Sequence, residues 1–139
     1  MNSKEALAKM FAVLEIHNVF ASPQFAKDIS SLVETDIEKF IETFTRDLSR
    51  KCLKGYNKYE RLSLNKNQKK KLDGNALYRY EYRNTSNLRC IYIIMKENNN
   101  KNTFLLNAFN EDKNKTGGKN SYSFNIERAI RTYQSIKRK

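Results

Sequence analysis

The sequence has few of the residues on which metal sites and disulfide frameworks depend. Among 139 residues there are two cysteines, Cys52 and Cys90, and one histidine, His17. The cysteines are far apart and show neither a CxxC spacing nor a histidine cluster, so we expect two reduced thiols and no bound metal. A lone histidine argues against a mechanism that needs a histidine pair, and no motif indicates a cofactor.

Long apolar runs are also missing. No stretch approaches the ~18 to 20 consecutive apolar residues that cross a bilayer, so we expect no membrane contact. The N-terminus carries Lys4, Glu5 and Lys9 instead of a basic stub followed by an apolar block, which argues against a secretion signal. We therefore expect a cytoplasmic protein, and the length fits one domain over residues 1–139.

Charge is abundant and unevenly placed. The net charge is +12, yet residues 1–45 hold four Lys or Arg against seven Asp or Glu, a net of −3. The remaining residues 46–139 hold twenty-three against eight, a net of +15. Such a surface favours phosphate polyanions through Coulomb attraction and counterion release, so nucleic acid is the expected partner.

The order of elements predicts an α+β fold. Helices are predicted over about 1–12, as a possible extra N-terminal helix, then from Ser22 to about 32, from Thr35 to about 52, and from about Ser123 onward. Strands are predicted over about 13–20, which includes His17, and over 59–64, 77–84, 88–95 and 103–109. The polar run 65–71 is predicted to be a loop. Short links between the later strands predict an antiparallel sheet.

Period-two alternation separates two chemistries on the strand at 77–84. Arg79, Glu81 and Arg83 share one face, and three tyrosines share the other. The same parity on the next strand places Arg89 with the arginines. If the tyrosines pack under the helices, three arginines converge on the uncovered side of the sheet, where they favour phosphate binding over a plain charge cluster with Glu81.

These strands resemble the RelE superfamily of toxins, including its HigB-like and phage-derived branches. The resemblance is carried by LYRYEYR at 77–83, NLRCIYII at 87–94 and FLLNAF at 104–109, followed by lysines and a helix. It implies a small curved antiparallel sheet with two N-terminal helices on one face and a C-terminal helix. It also implies a metal-independent mRNA endoribonuclease, often acting on the ribosome, and a cognate antitoxin protein with an acidic surface.

The resemblance also assigns roles. Arg89 matches the arginine that contacts the scissile phosphate, Arg79 and Arg83 match basic positions, and Tyr122 matches a tyrosine near the last helix. Glu60 lies where one branch has its base, and Lys113 or Tyr122 would be the acid. Two departures stand out, because Glu81 replaces a lysine and the Glu111-Asp112 pair follows Phe109 where relatives carry basic residues.

Other lysines would add RNA affinity without sequence choice. They are Lys115 and Lys119 near the last helix and the run Lys69, Lys70 and Lys71. Two alternatives to a nuclease remain open at the level of the sequence. One is a ParE-like toxin that inhibits DNA gyrase by protein contact, and the other is a non-catalytic RNA-binding protein.

Overall fold

The computed structural model describes residues 3–32, 37–54, 60–82, 87–97, 100–111, 118 and 120–137. The elements are, in chain order, α1 (Ser3–Ile16), β1 (Val19–Ala21), α2 (Pro23–Leu32), α3 (Ile37–Lys54), α4 (Lys66–Lys71), β2 (Leu77–Glu81), β3 (Leu88–Glu97), β4 (Asn100–Asn110) and α5 (Tyr122–Lys137). The predicted α+β class is confirmed. None of the described helices is both long and apolar enough to cross a membrane.

The sheet is mixed, with strand order β1-β4-β3-β2. The meander β2-β3-β4 is antiparallel as predicted, but β1 runs parallel to β4, so the prediction of a wholly antiparallel sheet is wrong. Short links force neighbouring strands to run antiparallel, whereas the long connection from β1 to β4 leaves the direction open. The sequence pattern therefore predicted the relative direction only of strands that are joined by short links.

The first helix is longer than predicted. Leu7, Met10 and Leu14 lie on one buried face of α1, and this helical spacing continues through the segment whose alternation predicted a strand. Asn18 then adopts a left-handed conformation with φ of 61° and ends the helical segment. The predicted strand over 13–20 shrinks to three residues, and His17 lies in the turn after α1 instead of in a strand.

Helices cover both faces of the sheet. On one face, α1, α2 and α3 pack on the tyrosines of β2, with Phe25, Phe40 and Phe44 stacked in series. On the other face, α5 supplies Ile126, Ala129, Ile130 and Tyr133 to a second core. The two expected N-terminal helices are α2 and α3, and the possible extra helix is present as α1 and packs on the same face. The sheet face that carries the arginines is covered by α5.

Two side chains, that of Ser22 at the N-cap of α2 and that of Asp28 within α2, form hydrogen bonds to the outer edge of β4. Pairing with β1 covers only residues 103–105. Beyond them, the Ser22 hydroxyl donates to the Leu106 carbonyl at 2.9 Å and accepts from the Phe25 amide at 3.0 Å, as its predicted N-cap role requires. The Asp28 carboxylate accepts a hydrogen bond from the Ala108 amide at 3.0 Å. Both of its oxygens also accept from the Arg128 guanidinium of α5, each at 3.1 Å.

The segment before β2 also differs from prediction. Among the described residues of the predicted strand 59–64, only Arg61 forms a bridge, with Tyr78. The polar run after it is not a loop but the short helix α4, which begins at a capping box formed by Asn65 and Gln68. The capping signal was present in the sequence, but the helix has no apolar stripe by which to recognise it.

Candidate functional site

The strand register decides which side chains can meet. In the antiparallel pairing of β2 with β3, Arg79 lies opposite Ile91 and Glu81 lies opposite Arg89. Leu77, Ile91 and Ile93 belong to the core under α5, whereas Tyr80 and Tyr82 belong to the opposite core. The predicted separation of arginines from tyrosines is therefore confirmed for the described residues. Arg83 lies outside them.

Arg89 is buried, so the prediction of an uncovered arginine face is wrong for this residue. It is 4% exposed, and its Nε lies 3.0 Å from Oε1 of Glu111. Its Nη1 also donates to the Leu88 carbonyl at 3.2 Å. Glu111 is held in place by its own amide, which donates to the Asn87 carbonyl at 2.9 Å. Burial of the guanidinium is tolerated because the carboxylate pairs with it and the carbonyl accepts from it.

Arg79 is the exposed arginine of the cluster. Its side chain is 41% exposed, and its Nε lies 3.5 Å from Oε1 of Glu81 on the same face of β2. Its guanidinium carbon lies 6.0 Å from the centre of the Tyr122 ring, within the range of a cation–π contact. Arg79 thus links the surface to Tyr122, which is half-buried.

Tyr122 is the first residue of α5 and contacts this cluster from the side of the sheet that α5 covers. Ser121 precedes it as the N-cap, because its hydroxyl accepts from the Phe124 amide at 3.2 Å. The Tyr122 ring packs edge-on against Phe109 at 5.1 Å, and its buried hydroxyl has no hydrogen-bond partner among the described residues. Burial raises the pKa of Tyr122 well above 10, and the nearby Glu81 carboxylate raises it further. The phenol is therefore a neutral donor at physiological pH.

Glu60 is not brought to this cluster. Its Oε2 accepts from the Tyr92 hydroxyl at 3.1 Å, and Tyr92 belongs to the core under α1, α2 and α3, on the opposite face of the sheet. The carboxylates that do lie near Arg89 and Tyr122 are those of Glu81 and Glu111. The sequence contained the signal for both, because an antiparallel register can place Glu81 opposite Arg89 and Glu111 follows the strand that pairs with β3.

The remaining predicted basic residues divide between two regions. Lys113, Lys115 and Lys119 lie outside the described residues. Lys69, Lys70 and Lys71 are exposed on α4, which is joined to α5 by a hydrogen bond of 2.9 Å from Gln68 to Glu127. The three described lysines therefore lie on the surface of α4, beside α5.

The described residues offer little to metal or thiol chemistry. Across the described ranges, no three His, Cys, Asp or Glu side chains lie together as a metal site. The Cys90 thiol is fully buried, and burial raises its pKa well above the ordinary value. A thiol held protonated in this way is a poor nucleophile.

No protein-family model, curated protein or solved structure gives a significant match to the chain. The chemistry of the cluster must therefore be argued from its own geometry.

Proposed function

We propose that the chain is the toxin of a toxin–antitoxin pair and cleaves mRNA without a metal, at a site formed by Arg79, Arg89, Glu111 and Tyr122. The observation that carries the proposal is the Tyr122 hydroxyl. It is buried with no hydrogen-bond partner in the part of the chain that the structure describes, within a cluster that also holds two guanidinium groups and two carboxylates. An orphaned donor beside arginines suits a phosphate oxygen that arrives with the substrate.

The proposed reaction is attack by a ribose 2′-hydroxyl on its own 3′-phosphate, with departure of the 5′-oxygen. Arg79 would bind the phosphate oxygens, since a guanidinium group stays charged and can bind two oxygens at once, and the buried Arg89 would reach them only if α5 shifts. Tyr122 would donate to a third oxygen, because its raised pKa keeps the hydroxyl protonated. The 2′-hydroxyl proton would pass to Glu111, which replaces Glu60 in this role because it lies 3.0 Å from Arg89. Lys113 remains the predicted acid for the leaving 5′-oxygen.

The partners follow from the charge. A chain of net charge +12 attracts mRNA and the ribosome, and its antitoxin is expected to carry an acidic surface. Because α5 covers the arginines, the antitoxin would act by contacting the exposed Arg79 edge or by shifting α5. Co-expression with such a partner should relieve growth arrest.

A second function is favoured by one observation. Each described arginine of the cluster is ion-paired, Arg79 with Glu81 and Arg89 with Glu111, so the cluster is neutral in sum. That balance suits a non-catalytic role, either as a gyrase inhibitor of the ParE kind or as an RNA-binding protein. In those cases the ion pairs would only stabilise the fold.

The test is end mapping of a reporter mRNA after treatment with folded wild type, Arg79→Ala and Arg89→Lys. Arg79 is exposed, so its loss should spare the fold, and lysine at position 89 keeps the charge for Glu111 but not the planar fork. Loss of a positioned donor should lower cleavage by about 100- to 1,000-fold. Arg131→Ala, an exposed arginine elsewhere on α5, is the control.

If both variants cleave the mRNA as fast as the wild-type protein does, the two arginines have no part in the mechanism. No cutting by the wild-type protein, combined with inhibition of gyrase in a supercoiling assay, would establish the second function instead.

A further inference from the structure

The β3–β4 hairpin projects beyond the rest of the sheet. β2 pairs with β3 only as far as Ile93, and β1 pairs with β4 only from Thr103 onward. Beyond these positions, residues 94–97 of β3 and 100–102 of β4 pair with each other and with no other strand among the described residues. These two segments form a two-stranded arm, called here the β3–β4 arm.

Two lysines lie directly opposite each other near the end of this arm. Lys96 is the cross-strand partner of Lys101, and both residues are exposed. The Cβ atoms of such a pair are about 5 Å apart, and like charges in this position destabilise a sheet. Within the described ranges, no carboxylate forms an ion pair with either lysine. Glu97, the one acidic residue in the sequence of the arm, lies opposite Asn100 in the register.

The packing of the arm does not explain this pair. Ile94 packs against the core under α1, α2 and α3, and Met95 packs against the core under α5, so apolar residues hold the base of the arm from both faces. A lysine can protect an open strand edge from pairing with other chains, but that role does not require a second lysine opposite the first. An anion between the two ammonium groups would replace their repulsion by two attractions.

Charge favours a nucleic-acid backbone as that anion. The arm belongs to residues 46–139, which carry a net charge of +15, so polyanions are attracted to this part of the chain. Two ammonium groups on flexible four-carbon side chains that start about 5 Å apart can reach the same phosphate. Amide side chains, such as that of the exposed Asn100, also contact phosphates in nucleic-acid complexes.

We propose that Lys96 and Lys101 bind a backbone phosphate of RNA, so that the β3–β4 arm is a sequence-independent RNA contact. Arg89 lies seven residues before Lys96, about 23 Å along β3, so this contact is separate from the arginine cluster. Binding at the arm therefore does not require the buried Arg89 to become accessible. The choice of RNA as the polyanion rests on the proposed function, whereas the contact itself does not depend on cleavage.

The first measurement is fluorescence anisotropy with a single-stranded 2′-O-methyl RNA over a salt titration. This RNA lacks the free 2′-hydroxyl that the proposed cleavage uses, so loss of binding is measured separately from loss of catalysis. Lys96→Ala or Lys101→Ala should make the slope of log affinity against log salt less steep by about 0.7, and the double variant by about 1.4. Lys27→Ala, at an exposed lysine of α2, is the matched control and should leave the slope unchanged.

Unfolding in urea tests whether the two lysines repel each other. Lys101→Glu places opposite charges across the arm, so it should raise the urea midpoint while it lowers the affinity for RNA. Lys96→Glu should do the same, whereas the variant with both changes restores like charges and should lose the gain in stability. A purely structural role of the lysines would not move stability and RNA affinity in opposite directions.

Three results would overturn the proposal. The first is a Lys96→Ala/Lys101→Ala variant that binds the RNA with the wild-type slope. The second is a variant that loses affinity for a fluorescent acidic peptide but not for RNA, which would make the arm a protein contact. The third is a Lys101→Glu variant that keeps its RNA affinity but self-associates, which would make the lysines a protection of the strand edges. If the arm variants lose RNA binding while the wild-type chain does not cleave mRNA, only the proposed function fails.

Discussion

Among single residues of the site, Tyr122 stands out, because its hydroxyl is buried and finds no hydrogen-bond partner within the described ranges. A buried donor without a partner costs about 1–3 kcal/mol. Tyr122→Phe should therefore raise the free energy of unfolding by about 1 kcal/mol while lowering RNA cleavage. Urea unfolding beside end mapping of a reporter mRNA measures the two effects separately.

The comparison variant is Tyr133→Phe. The Tyr133 hydroxyl donates to Asp73 at 2.7 Å, so its removal should lower the free energy of unfolding by about 1 kcal/mol. If Tyr122→Phe is destabilised as Tyr133→Phe is, the Tyr122 hydroxyl has a structural partner and loses its special role.

How much of the site could be predicted depends on how far apart in sequence the interacting residues lie. Period-two alternation placed Arg79 and Arg89 on one face and the tyrosines on the other, because a strand settles that locally. The burial of Arg89 could not be predicted in this way, because it depends on packing by α5, which begins only at Tyr122. The position of Glu60 depends on a segment that precedes β2, where local pattern says nothing about the face.

At the scale of elements, α2 depends on its N-cap. Ser22 is 3% exposed and makes two hydrogen bonds, one within the helix and one to β4. Ser22→Ala should lower the free energy of unfolding by about 1–3 kcal/mol, because it removes a cap and leaves the Leu106 carbonyl unpaired. Thermal or urea unfolding followed by circular dichroism would measure it.

Ser30→Ala on the same helix is the matched control. The Ser30 hydroxyl donates only to the Ala26 carbonyl on the exposed side, so its loss should change the free energy by less than about 0.5 kcal/mol. Equal losses for the two serines would show that the contact to β4 contributes nothing.

Elements with strong local signals were predictable and the others were not. Ser22 before Pro23 marked the start of α2, and apolar runs marked β3 and β4 to within a few residues. The segment 13–20 satisfied both a helical and a strand pattern, and the core contacts of α1 decided between them. The parallel pairing of β1 with β4 could not be predicted from local patterns, because it joins residues more than 80 positions apart in sequence.

For the whole molecule, buried phenols should set the alkaline limit of stability. Burial and then the Asp73 carboxylate raise the pKa of Tyr133 to about 12, and burial raises those of Tyr80 and Tyr122 as well. A raised pKa in the folded state means that stability is complete below the unfolded value of about 10 and is lost as the pH rises through the folded value. The free-energy advantage of wild type over Tyr133→Phe should therefore shrink between about pH 10 and about pH 12.

Guanidinium unfolding of both proteins at several alkaline pH values measures this difference directly. An advantage that is constant with pH would contradict the assignment. Comparison with the Tyr133→Phe variant matters, because deprotonation of the lysines remote from Asp73 in the same range changes both proteins alike. Lys137 binds the same Asp73 oxygen as Tyr133, so both proteins should carry Lys137→Ala in this comparison.

The basic two-thirds of the chain should govern RNA affinity. If about three to six phosphates are neutralised, as in the proposed contacts, log affinity should fall linearly with log salt with a slope of about −2 to −4 for single-stranded RNA. Fluorescence anisotropy over a salt titration measures the slope, and a fluorescent acidic peptide gives the reference for non-specific attraction. An affinity for RNA that is flat in salt would place binding elsewhere than on the basic surface.

The closure of the β4 edge has a consequence for the order in which the molecule is completed during synthesis. β1 and α2 leave the ribosome early, but the strand they pair with is made about 80 residues later, and Arg128, which holds Asp28, comes later still in α5. The nascent chain therefore carries β1 and α2 without the strand they contact until β4 has been made, and Asp28 without Arg128 until α5 has been made. The cluster of Arg79, Arg89, Glu111 and Tyr122 is likewise complete only after α5 has been synthesised, because Tyr122 is the first residue of that helix.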